Sequence, residues 1–406
     1  MMWTRMPKEK IVCGLDIGCE SVKVAIVKFS PGQNTLLGVL ASPVHGFRDS
    51  SITDLAEFSE CLHQTIDDLA KKVNVKVKDV YLGVSSELVD SRLSGAVIAL
   101  LDRGRKIIAR RDIEKVNQQA KLLGLKMEEE ILHEIPQSYL VDDENEAKNP
   151  LGLYGRKMAV QSLLLFTKSN QIRNLIQAIH QAGYEVSGQS LGSYAASEMI
   201  LSHDEKQRGS IVIDLGSQVT SLLVFADGML RFFSKIPLGG QHLTKKISQD
   251  MNIAWESAEE IKKQFASVVA SDRLQEEEIL FKKEEQYIPL RRSQLSQAIE
   301  PDVKDLLVEI HRVITQSNQT SRGIVVIGGG ALVPGVIERI GEETRLPVRL
   351  GHYHASLKSP ALYACAVGLA QLEIMANSHY HNPAYEVNGR WALINHKLKE
   401  IYNEYF

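Results

Sequence analysis

Cysteine is scarce in this sequence of 406 residues: there are four cysteines, and no two of them form a CxxC pair. Without paired spacing there is neither a zinc motif nor a disulfide framework, which favours a reducing compartment. The sequence also lacks any apolar run of about 18 residues, the length that a membrane-spanning helix needs. The segment Met1–Lys10 carries charge but no apolar stretch, so we expect no secretory signal.

Net charge is low as well. The chain has 47 basic and 50 acidic residues, a formal charge of −3, so bulk electrostatics give no reason to expect a nucleic-acid partner. What the composition does provide is 44% hydrophobic and 24% charged residues, which is typical of a globular protein with a sizeable core. A chain of this length predicts about two to four subdomains.

The first predicted hairpin has an acidic residue and a glycine at its turn. Segment Ile11–Phe29 reads IVCGLDIGCESVKVAIVKF, with β-branched residues on both sides of Asp16-Ile17-Gly18, which predicts strand, turn, strand. Because a strand and not a helix follows the turn, the pattern is not that of a Rossmann loop. The amide groups of such a tight turn can cradle an anion, and glycine permits close approach of a phosphate.

The same pattern returns once. Segment Ser210–Phe225 reads SIVIDLGSQVTSLLVF, and its Asp214 follows Asp16 by 198 residues, which indicates a weak internal repeat at the scale of a domain. Two such hairpins facing each other would clamp the phosphate tail of a nucleotide from both sides. Their aspartates could hold Mg²⁺ through water, since Mg²⁺ keeps much of its hydration shell.

A glycine-rich turn is the third motif. A predicted strand, Gly323–Ile327, leads into Gly328-Gly329-Gly330-Ala331. Glycines let the backbone lie flat against a base or a phosphate, and the helix that follows offers its positive N-terminus. Alone, this pattern fits an ordinary strand-to-helix turn equally well. The order hairpin, hairpin, glycine-rich turn is what predicts a nucleotide site.

These motifs resemble those of the actin, Hsp70 and sugar-kinase superfamily, with phosphate loops at 16–23 and 214–220 and an adenosine motif at 328–335. Within it the chain is similar to FtsA, the bacterial cell-division actin homologue, over nearly its whole length. Segment Ile131–Gly155 (ILHEIPQSYLVDDENEAKNPLGLYG) resembles the FtsA-specific subdomain 1C. The resemblance implies an α/β, actin-like ATPase fold, built from duplicated ribonuclease-H-like subdomains with 1C inserted.

The resemblance also implies a division of the chain into subdomains. The expected ranges are 1–84 and 163–205 for 1A, 85–162 for 1C, 206–240 and 316–355 for 2A, 241–315 for 2B, 356–376 for the return helix of 1A, 377–389 for a linker, and 390–406 for an amphipathic membrane-targeting helix. Within subdomain 2B we predict that the charged stretch from Thr244 to about Leu280 is helical.

The cofactors that the resemblance implies are ATP and Mg²⁺, the latter held through water by Asp16 and Asp214. Glu259 and Lys262, on one helix face, would contact the adenosine, although their spacing alone fits a solvated ion pair. The full set of expected nucleotide-binding residues is Asp16, Gly18, Cys19, Ser21, Lys23, Asp214, Gly216, Ser217, Gln218, Thr220, Glu259, Lys262, Gly328, Gly329, Gly330 and Ala331.

The second phosphate loop departs from the family pattern. The family usually reads DIGGGTTD, whereas residues 214–221 read DLGSQVTS, so Ser217 and Gln218 place side chains where glycines are usual. In the first loop Cys19 replaces a hydroxyl residue, which removes a strong donor. We therefore expect nucleotide binding with slow or absent hydrolysis, at most a weak ATPase.

The last segment, Arg390–Phe406, predicts an amphipathic helix. Tryptophan and tyrosine favour the membrane interface, in whose plane such a helix lies. The alternative is a helix docked on its own domain, but the polar segment Asn377–Gly389 before it favours the membrane. With three basic and two acidic side chains, we expect apolar insertion to matter more than anionic lipid. The apolar face consists of Trp391, Ile394, Leu398, Ile401, Tyr402, Tyr405 and Phe406.

The resemblance implies partners too: the acidic C-terminal tail of the tubulin-like FtsZ, further copies of the chain in head-to-tail filaments, and other division proteins through 1C. Arg291 and Arg292 lie where the FtsZ tail would dock, and guanidinium suits carboxylates; a solvated basic pair is the alternative. The family usually has EPR where this chain has Glu300-Pro301-Asp302. The expected location is peripheral, on the cytoplasmic face of the inner membrane at the division septum.

Two rival functions remain at this stage. A scaffold resembling the pilus-assembly actin PilM gains from the altered second loop and loses from the C-terminal helix and the long 2B region. A sugar kinase would need a catalytic base and a substrate cleft, for which the sequence shows no constellation. A chaperone is disfavoured because no large β-rich substrate domain follows the nucleotide-binding part.

Overall fold

The computed structural model describes residues 9–30, 33–100, 104–269, 278–283, 286–352, 357 and 359–379. These residues belong to two compact units. The described residues within 9–17, 21–199 and 366–379 form unit 1, and those within 18–20 and 200–365 form unit 2.

The strands and helices are numbered in chain order. The strands are β1 (Lys10–Ile17), β2 (Ser21–Ser30), β3 (Gln33–Pro43), β4 (Phe47–Arg48), β5 (Ser51–Ile52), β6 (Asp79–Val84), β7 (Asp90–Ala99), β8 (Lys106–Ile107), β9 (Glu129–Val141), β10 (Asn145–Ala147), β11 (Tyr154–Gly155), β12 (Lys157–Lys168), β13 (Glu185–Leu191), β14 (Ser210–Leu215), β15 (Thr220–Ala226), β16 (Met229–Ile236), β17 (Glu278–Lys283), β18 (Gln286–Arg291), β19 (Ile324–Ile327) and β20 (Val348–Leu350). The α-helices are α1 (Leu55–Lys72), α2 (Arg110–Gly124), α3 (Ser169–Gln181), α4 (Gly192–Ile200), α5 (His203–Arg208), α6 (Gly240–Met251), α7 (Trp255–Phe265), α8 (Arg292–Gln316), α9 (Val336–Thr344) and α10 (Ala364–His379). Short 3₁₀ turns span Ser86–Leu88, Gly329–Leu332 and Pro360–Tyr363.

Unit 1 is built on a five-stranded sheet in the order β3-β2-β1-β6-β13. The first three strands are antiparallel neighbours, and β6 and β13 run parallel to β1. Helix α1 packs on β2 and β3, where Phe58, Leu62, Ile66 and Leu69 form its buried stripe at helical spacing. Its first turn is fixed by Asp54, whose side chain accepts a hydrogen bond from the amide of Glu57 at 2.9 Å.

A second sheet in unit 1, in the order β10-β9-β12-β7, forms the inserted subdomain. Helix α2 covers one face of it, where Val116 and Ala120 join a buried cluster with Ile98, Met158 and Val160. Strand β9 contains Pro136. The pairing of β9 with β12 shifts register between Gln161 and Ser162, which lie opposite Ser138 and Pro136. Proline has no amide hydrogen to donate to the neighbouring strand, so within a sheet it is found at irregularities of this kind.

Unit 2 repeats the first sheet. Its five strands follow the order β16-β15-β14-β19-β20, again three antiparallel neighbours followed by two parallel strands. Helices α6, α7 and α8 contribute to its apolar core, through Ile247, Ile261, Ile299 and other buried residues. The repeat inferred from two Asp-x-Gly turns is therefore confirmed as a repeat of sheet topology.

Two sequence expectations need correction or completion. The helical stretch predicted from Thr244 to Leu280 is wrong at its end, since α7 stops at Phe265 and Leu280 lies in the hairpin β17–β18; charge alone did not reveal the alternation of that hairpin. Helix α10 continues to His379, into the segment predicted as a linker. The rest of that segment, 380–389, and the amphipathic helix predicted at 390–406 lie outside the described residues.

Candidate functional site

The first hairpin turn has its aspartate paired with a lysine from the neighbouring strand. Asp16 lies opposite Lys23 in the β1–β2 register, and Lys23 Nζ is 3.2 Å from Asp16 Oδ2, with side chains 14% and 15% exposed. Ser21 begins β2 beside them. These three predicted site residues belong to unit 1, whereas the turn residues Gly18, Cys19 and Glu20 belong to unit 2.

The second hairpin turn is closed by its own backbone. The amide of Gly216 donates to the carbonyls of Asp214 at 3.2 Å and Val219 at 3.1 Å. Thr220, predicted to bind nucleotide, is fully buried, and its hydroxyl donates to the carbonyl of Leu238 at 2.8 Å. That hydroxyl therefore joins β15 to the segment before α6.

Two glycines that the sequence reasoning missed bring the start of α6 against this turn. The amide of Gly240 donates to the carbonyl of Gly216 at 3.0 Å, and the amide of Gln241 donates to the carbonyl of Ser217 at 2.8 Å. A Cβ at Gly239 would lie 2.4 Å from the carbonyl oxygen of Ser217, so the approach requires glycine. The paired glycines just before a predicted helix were the available signal.

Side chains of the first turn contact the second turn inside unit 2. Glu20 Oε1 accepts hydrogen bonds from Ser217 Oγ at 3.3 Å and from Gln241 Nε2 at 2.8 Å. Cys19 Sγ donates to Gln218 Oε1 at 3.0 Å. Three of the residues that depart from the family pattern, Cys19, Ser217 and Gln218, are thus engaged here. Glu20, which the sequence reasoning did not select, is engaged with them.

The glycine-rich turn packs on the second hairpin. Gly328 has a φ of +90°, and a Cβ there would lie 2.5 Å from both Asp214 Oδ1 and the carbonyl oxygen of Leu215. A Cβ at Gly330 would lie 2.8 Å from Leu215 Cβ. The close approach explains the glycines physically. The helix predicted to follow the turn is present and begins at Val336, after a 3₁₀ turn over Gly329–Leu332 that contains Ala331.

Glu259 and Lys262 form a largely buried ion pair rather than a solvated one. Their side chains are 11% and 10% exposed, and Lys262 Nζ lies 2.6 Å from Glu259 Oε2. Lys262 also donates to the carbonyl of Gly240 at 3.0 Å and to Thr244 Oγ1 at 2.8 Å. The pair therefore connects α7 to the N-terminal turn of α6, next to the second hairpin turn.

Burial and charge set the ionisation of this pair. Burial works to raise the pKa of Glu259, but the Lys262 ammonium and the hydrogen bonds from Lys262 and Thr244 outweigh it, so the pKa of Glu259 lies below its usual value. Burial lowers the pKa of Lys262, and the attraction of Glu259 offsets this only in part. The attraction of the Glu20 carboxylate also acts on Lys262, so Glu20 is electrostatically part of the same site.

The predicted cofactors can be judged by these surroundings. The described residues contain no group of three or more histidine, cysteine or acidic side chains that could hold a metal directly. A hydrated Mg²⁺ needs only one or two carboxylates, which Asp16 and Asp214 offer in their separate units. The glycine turn and the Lys262 cation suit a nucleotide, whereas the Glu20 carboxylate against the second turn is unfavourable for a phosphate there.

The two arginines assigned to a peptide partner lie at the junction of β18 and α8. Arg291 is exposed and 3.7 Å from Glu278 Oε1. Arg292 points its Nε and Nη2 to the carbonyl of Phe265, each at 3.4 Å. Glu300, part of the charge-reversed tripeptide, makes a two-pronged ion pair with Arg339 at 2.8 Å and 3.2 Å, so its charge is balanced within unit 2.

The predicted membrane-contacting residues, from Trp391 to Phe406, lie outside the described residues. Among the helices that the structure does describe, none combines the length and the hydropathy that crossing a membrane requires.

Two family models match the chain. The model described as cell division protein FtsA matches residues 211–368, and that of the SHS2 domain inserted in FtsA matches residues 88–165, which correspond to most of unit 2 and to the inserted subdomain. Among curated relatives, the cell division protein FtsA of Buchnera aphidicola is 28% identical over 358 residues, covering 85% of this chain and 84% of the relative. FtsA of Escherichia coli K12 is 27% identical over 403 residues, covering 92% of each.

Solved structures share the fold. The PilM–PilN type IV pilus biogenesis complex matches with a TM-score of 0.65 at 18% identity, covering 89% of this chain and 98% of the other. MreB5 of Spiroplasma citri bound to AMPPNP matches with a TM-score of 0.54 at 14% identity, covering 93% and 99%. These likenesses, with the repeated sheets and the inserted subdomain, confirm the predicted actin-like ATPase fold.

Proposed function

Because this chain belongs to the FtsA family of bacterial cell-division proteins, we propose that it is a nucleotide-binding adaptor of the division machinery. In this role it binds ATP with Mg²⁺, assembles into filaments on the cytoplasmic face of the inner membrane at the septum, and tethers FtsZ there. Other division proteins contact it through the inserted subdomain. It hydrolyses ATP slowly or not at all.

The observation that carries nucleotide binding is the packing of the glycine-rich turn on the second hairpin. Gly328 lies against Asp214 so closely that a Cβ would come within 2.5 Å of the carboxylate. The same unit supplies Lys262, a buried cation beside the second turn. A backbone-lined turn, an aspartate and a cation within one unit are what a Mg²⁺-bound nucleotide needs. The structural relative MreB5 was solved with AMPPNP, which supports this assignment.

Calorimetric titration of the full chain with ATP and ADP in the presence of Mg²⁺ tests the proposal. We expect saturable binding and a turnover far below the median enzyme rate of about 10 s⁻¹. Gly328→Ala should lose binding, because its Cβ displaces Asp214. Gly152→Ala is the matched control: its φ of +85° is similar to that of Gly328, but a Cβ there meets nothing within 4 Å. A folded wild-type chain that binds neither nucleotide would refute the proposal.

FtsZ tethering rests on family membership and on Arg291, whose side chain is 67% exposed. A pull-down with a peptide of the FtsZ C-terminal tail should capture the chain, and Arg291→Glu should weaken capture by about tenfold, since it places like charge against an acidic peptide. Arg312→Glu, at the far end of α8 and also half-exposed, is the matched control. Capture that both variants weaken equally would place the peptide elsewhere.

Membrane attachment is assigned to residues 390–406 on sequence grounds. Liposome flotation with the full chain and with a chain ending at residue 389 tests it. The full chain should float and the shortened one should not. Because we assign the binding to apolar insertion, neutral and anionic vesicles should differ little. Equal flotation of the two chains would remove this part of the proposal.

A PilM-like pilus scaffold is the second candidate, favoured by the side chains of Ser217 and Gln218 in the second turn. The FtsZ-tail pull-down separates the two functions, since a pilus scaffold has no reason to capture that peptide.

A further inference from the structure

The second hairpin turn, a candidate anion cradle, already faces an anion that belongs to the protein. Glu20 Oε1 accepts hydrogen bonds from Ser217 Oγ of the turn at 3.3 Å and from Gln241 Nε2 at the start of α6 at 2.8 Å. Helix α6 has 12 residues, so its N-terminal turn carries the positive end of a substantial helix dipole. Glu20 thus lies against the same groups that would attract a phosphate.

The charges around the turn add to the competition between Glu20 and a ligand phosphate. Three acidic side chains, Asp214, Glu259 and Glu20, belong to the second turn and its surroundings. The largely buried cation among them is Lys262. Lys262 is held by Glu259 at 2.6 Å and is also under the attraction of Glu20. A ligand phosphate must therefore compete with a fixed carboxylate both for hydrogen-bond donors and for the ammonium group.

We propose that Glu20 is a specificity-determining residue that makes the site prefer a nucleoside diphosphate over the triphosphate. The inference rests on the nucleotide binding proposed above. A triphosphate brings one more ionised phosphate than a diphosphate, and like charges placed close together at low dielectric repel strongly. The diphosphate leaves Glu20 its hydrogen bonds, whereas the triphosphate must displace or approach the carboxylate.

The chain itself indicates which substitution to test. In the β1–β2 hairpin Ile17 pairs with Val22, and in the β14–β15 hairpin Leu215 pairs with Thr220, so Glu20 and Gln218 occupy equivalent turn positions. Glutamine has the shape of glutamate without its charge, and its amide oxygen still accepts hydrogen bonds. Glu20→Gln therefore removes the charge while it leaves acceptors for Ser217 and Gln241.

The experiment compares the affinities of the full-length protein for fluorescent ADP and ATP analogues, with Mg²⁺ at fixed ionic strength. Wild type should bind the diphosphate more tightly. Glu20→Gln should raise triphosphate affinity by about tenfold and diphosphate affinity by about threefold or less, so that the preference disappears or reverses. Glu260→Gln, an exposed glutamate of α7, makes the same charge change away from the turn and should leave both affinities unchanged.

Three results would overturn the proposal, and they differ from one another. An unchanged ratio of the two affinities in Glu20→Gln would show that the carboxylate does not discriminate. A fall in triphosphate affinity would show that Glu20 helps to hold the cation instead. If folded wild type and Glu20→Gln bind neither nucleotide, the nucleotide site itself is absent and the proposed function fails with it.

Discussion

The two five-stranded sheets have one topology and different chemistry. Both run as three antiparallel strands followed by two parallel ones, and in both the first hairpin leaves four residues between its last paired positions. Yet Lys23, which pairs with Asp16, has Ser221 as its counterpart opposite Asp214. Apolar alternation therefore sets the sheet topology, whereas the few polar positions at the turns set the local charge and hydrogen bonding of each copy.

One difference between the two sheets lies under helix α10. Gly14 in β1 approaches α10 so closely that a Cβ would meet the carbonyl oxygen of Ala366 at 2.1 Å and the amide of Ala370 at 2.8 Å. The position equivalent to Gly14 in the second sheet, two residues before the aspartate, is Val212, which is fully buried. Substitutions at these two positions are therefore expected to have the largest effects.

Gly14→Val should destabilise unit 1 by about 3 kcal/mol or more, because backbone atoms of α10 must move to admit the side chain. Val212→Ala should cost unit 2 about 2 kcal/mol through lost packing. Amide hydrogen exchange, read separately in β1 and β14, measures each effect in its own unit. Wild-type protection of β1 in Gly14→Val would show that α10 does not pack as tightly as described.

The buried ion pair of unit 2 provides the next test. Glu259→Gln leaves the Lys262 ammonium largely buried with hydrogen bonds but without its counter-charge, and should cost about 2–4 kcal/mol at neutral pH. The double variant Glu259→Gln/Lys262→Met should be less destabilised than this single variant, since it removes the stranded charge. Urea unfolding measures both, with Glu260→Gln as the exposed control. A double variant worse than the single would mean that the pair contributes through shape and not charge.

The pH dependence of the pair follows from the lowered pKa of Glu259. A carboxylate whose folded pKa is below the unfolded value of about 4.3 stabilises the fold fully above that pH, and the contribution is lost as the pH falls through the lower folded value. The Glu259 contribution to unit 2 should therefore be unaffected at pH 5. In unit 1 the buried side chain of His133 should instead make stability depend on pH in this range.

We expect His133 to make unit 1 more sensitive to acid than unit 2. Burial lowers its pKa from 6.5 to about 4, and its Nε2 accepts a hydrogen bond from the amide of Leu191 at 3.1 Å, which protonation would break. Between those two pH values the unfolded chain binds a proton that the folded one does not, so stability falls as the pH falls. At pH 5.0 the loss relative to pH 7.5 should be about 2 kcal/mol.

A double variant, Trp3→Phe/Trp391→Phe, leaves Trp255 of α7 as the fluorescent reporter of unit 2. Urea midpoints at pH 7.5 and 5.0, followed by circular dichroism for the whole chain and by Trp255 fluorescence for unit 2, separate the two responses. His133→Asn retains an oxygen acceptor for Leu191 and should flatten the response of unit 1. Equal acid sensitivity by both probes would contradict the assignment to His133.

Sequence patterns predicted the two repeated hairpins, but they did not reveal the residues whose role depends on contacts between distant segments. Alternation around Asp16 and Asp214 was enough for both hairpins, and Gly328 was identified because glycine has few other reasons to occur in a run. Glu20, Gly239 and Gln241 were missed, because their importance comes from contacts with residues some 200 positions away or across a turn. The β17–β18 hairpin was missed because its charged residues mask its alternation.

The smallest expected effect concerns Thr220, which the sequence assigned to the ligand and whose hydroxyl the structure shows donating to Leu238 at 2.8 Å. The first sheet has Val22 at the equivalent position. Thr220→Val should cost about 1 kcal/mol, the net value of one buried hydrogen bond, and Thr220→Ser, which keeps the hydroxyl, should cost less. The stability loss comes from urea unfolding, and nucleotide affinity comes from titration of the same variants.

The two readouts distinguish two roles for this hydroxyl. A loss of stability with wild-type nucleotide affinity in Thr220→Val would identify it as a brace that fixes the turn to the segment before α6. A loss of affinity at unchanged stability would return Thr220 to the ligand-binding set. The first sheet has no hydroxyl at this position, and the start of α6 is bonded to the backbone carbonyls of the second turn. A loss of stability without a loss of affinity would therefore also indicate that the hydroxyl is needed to hold α6 against the second turn.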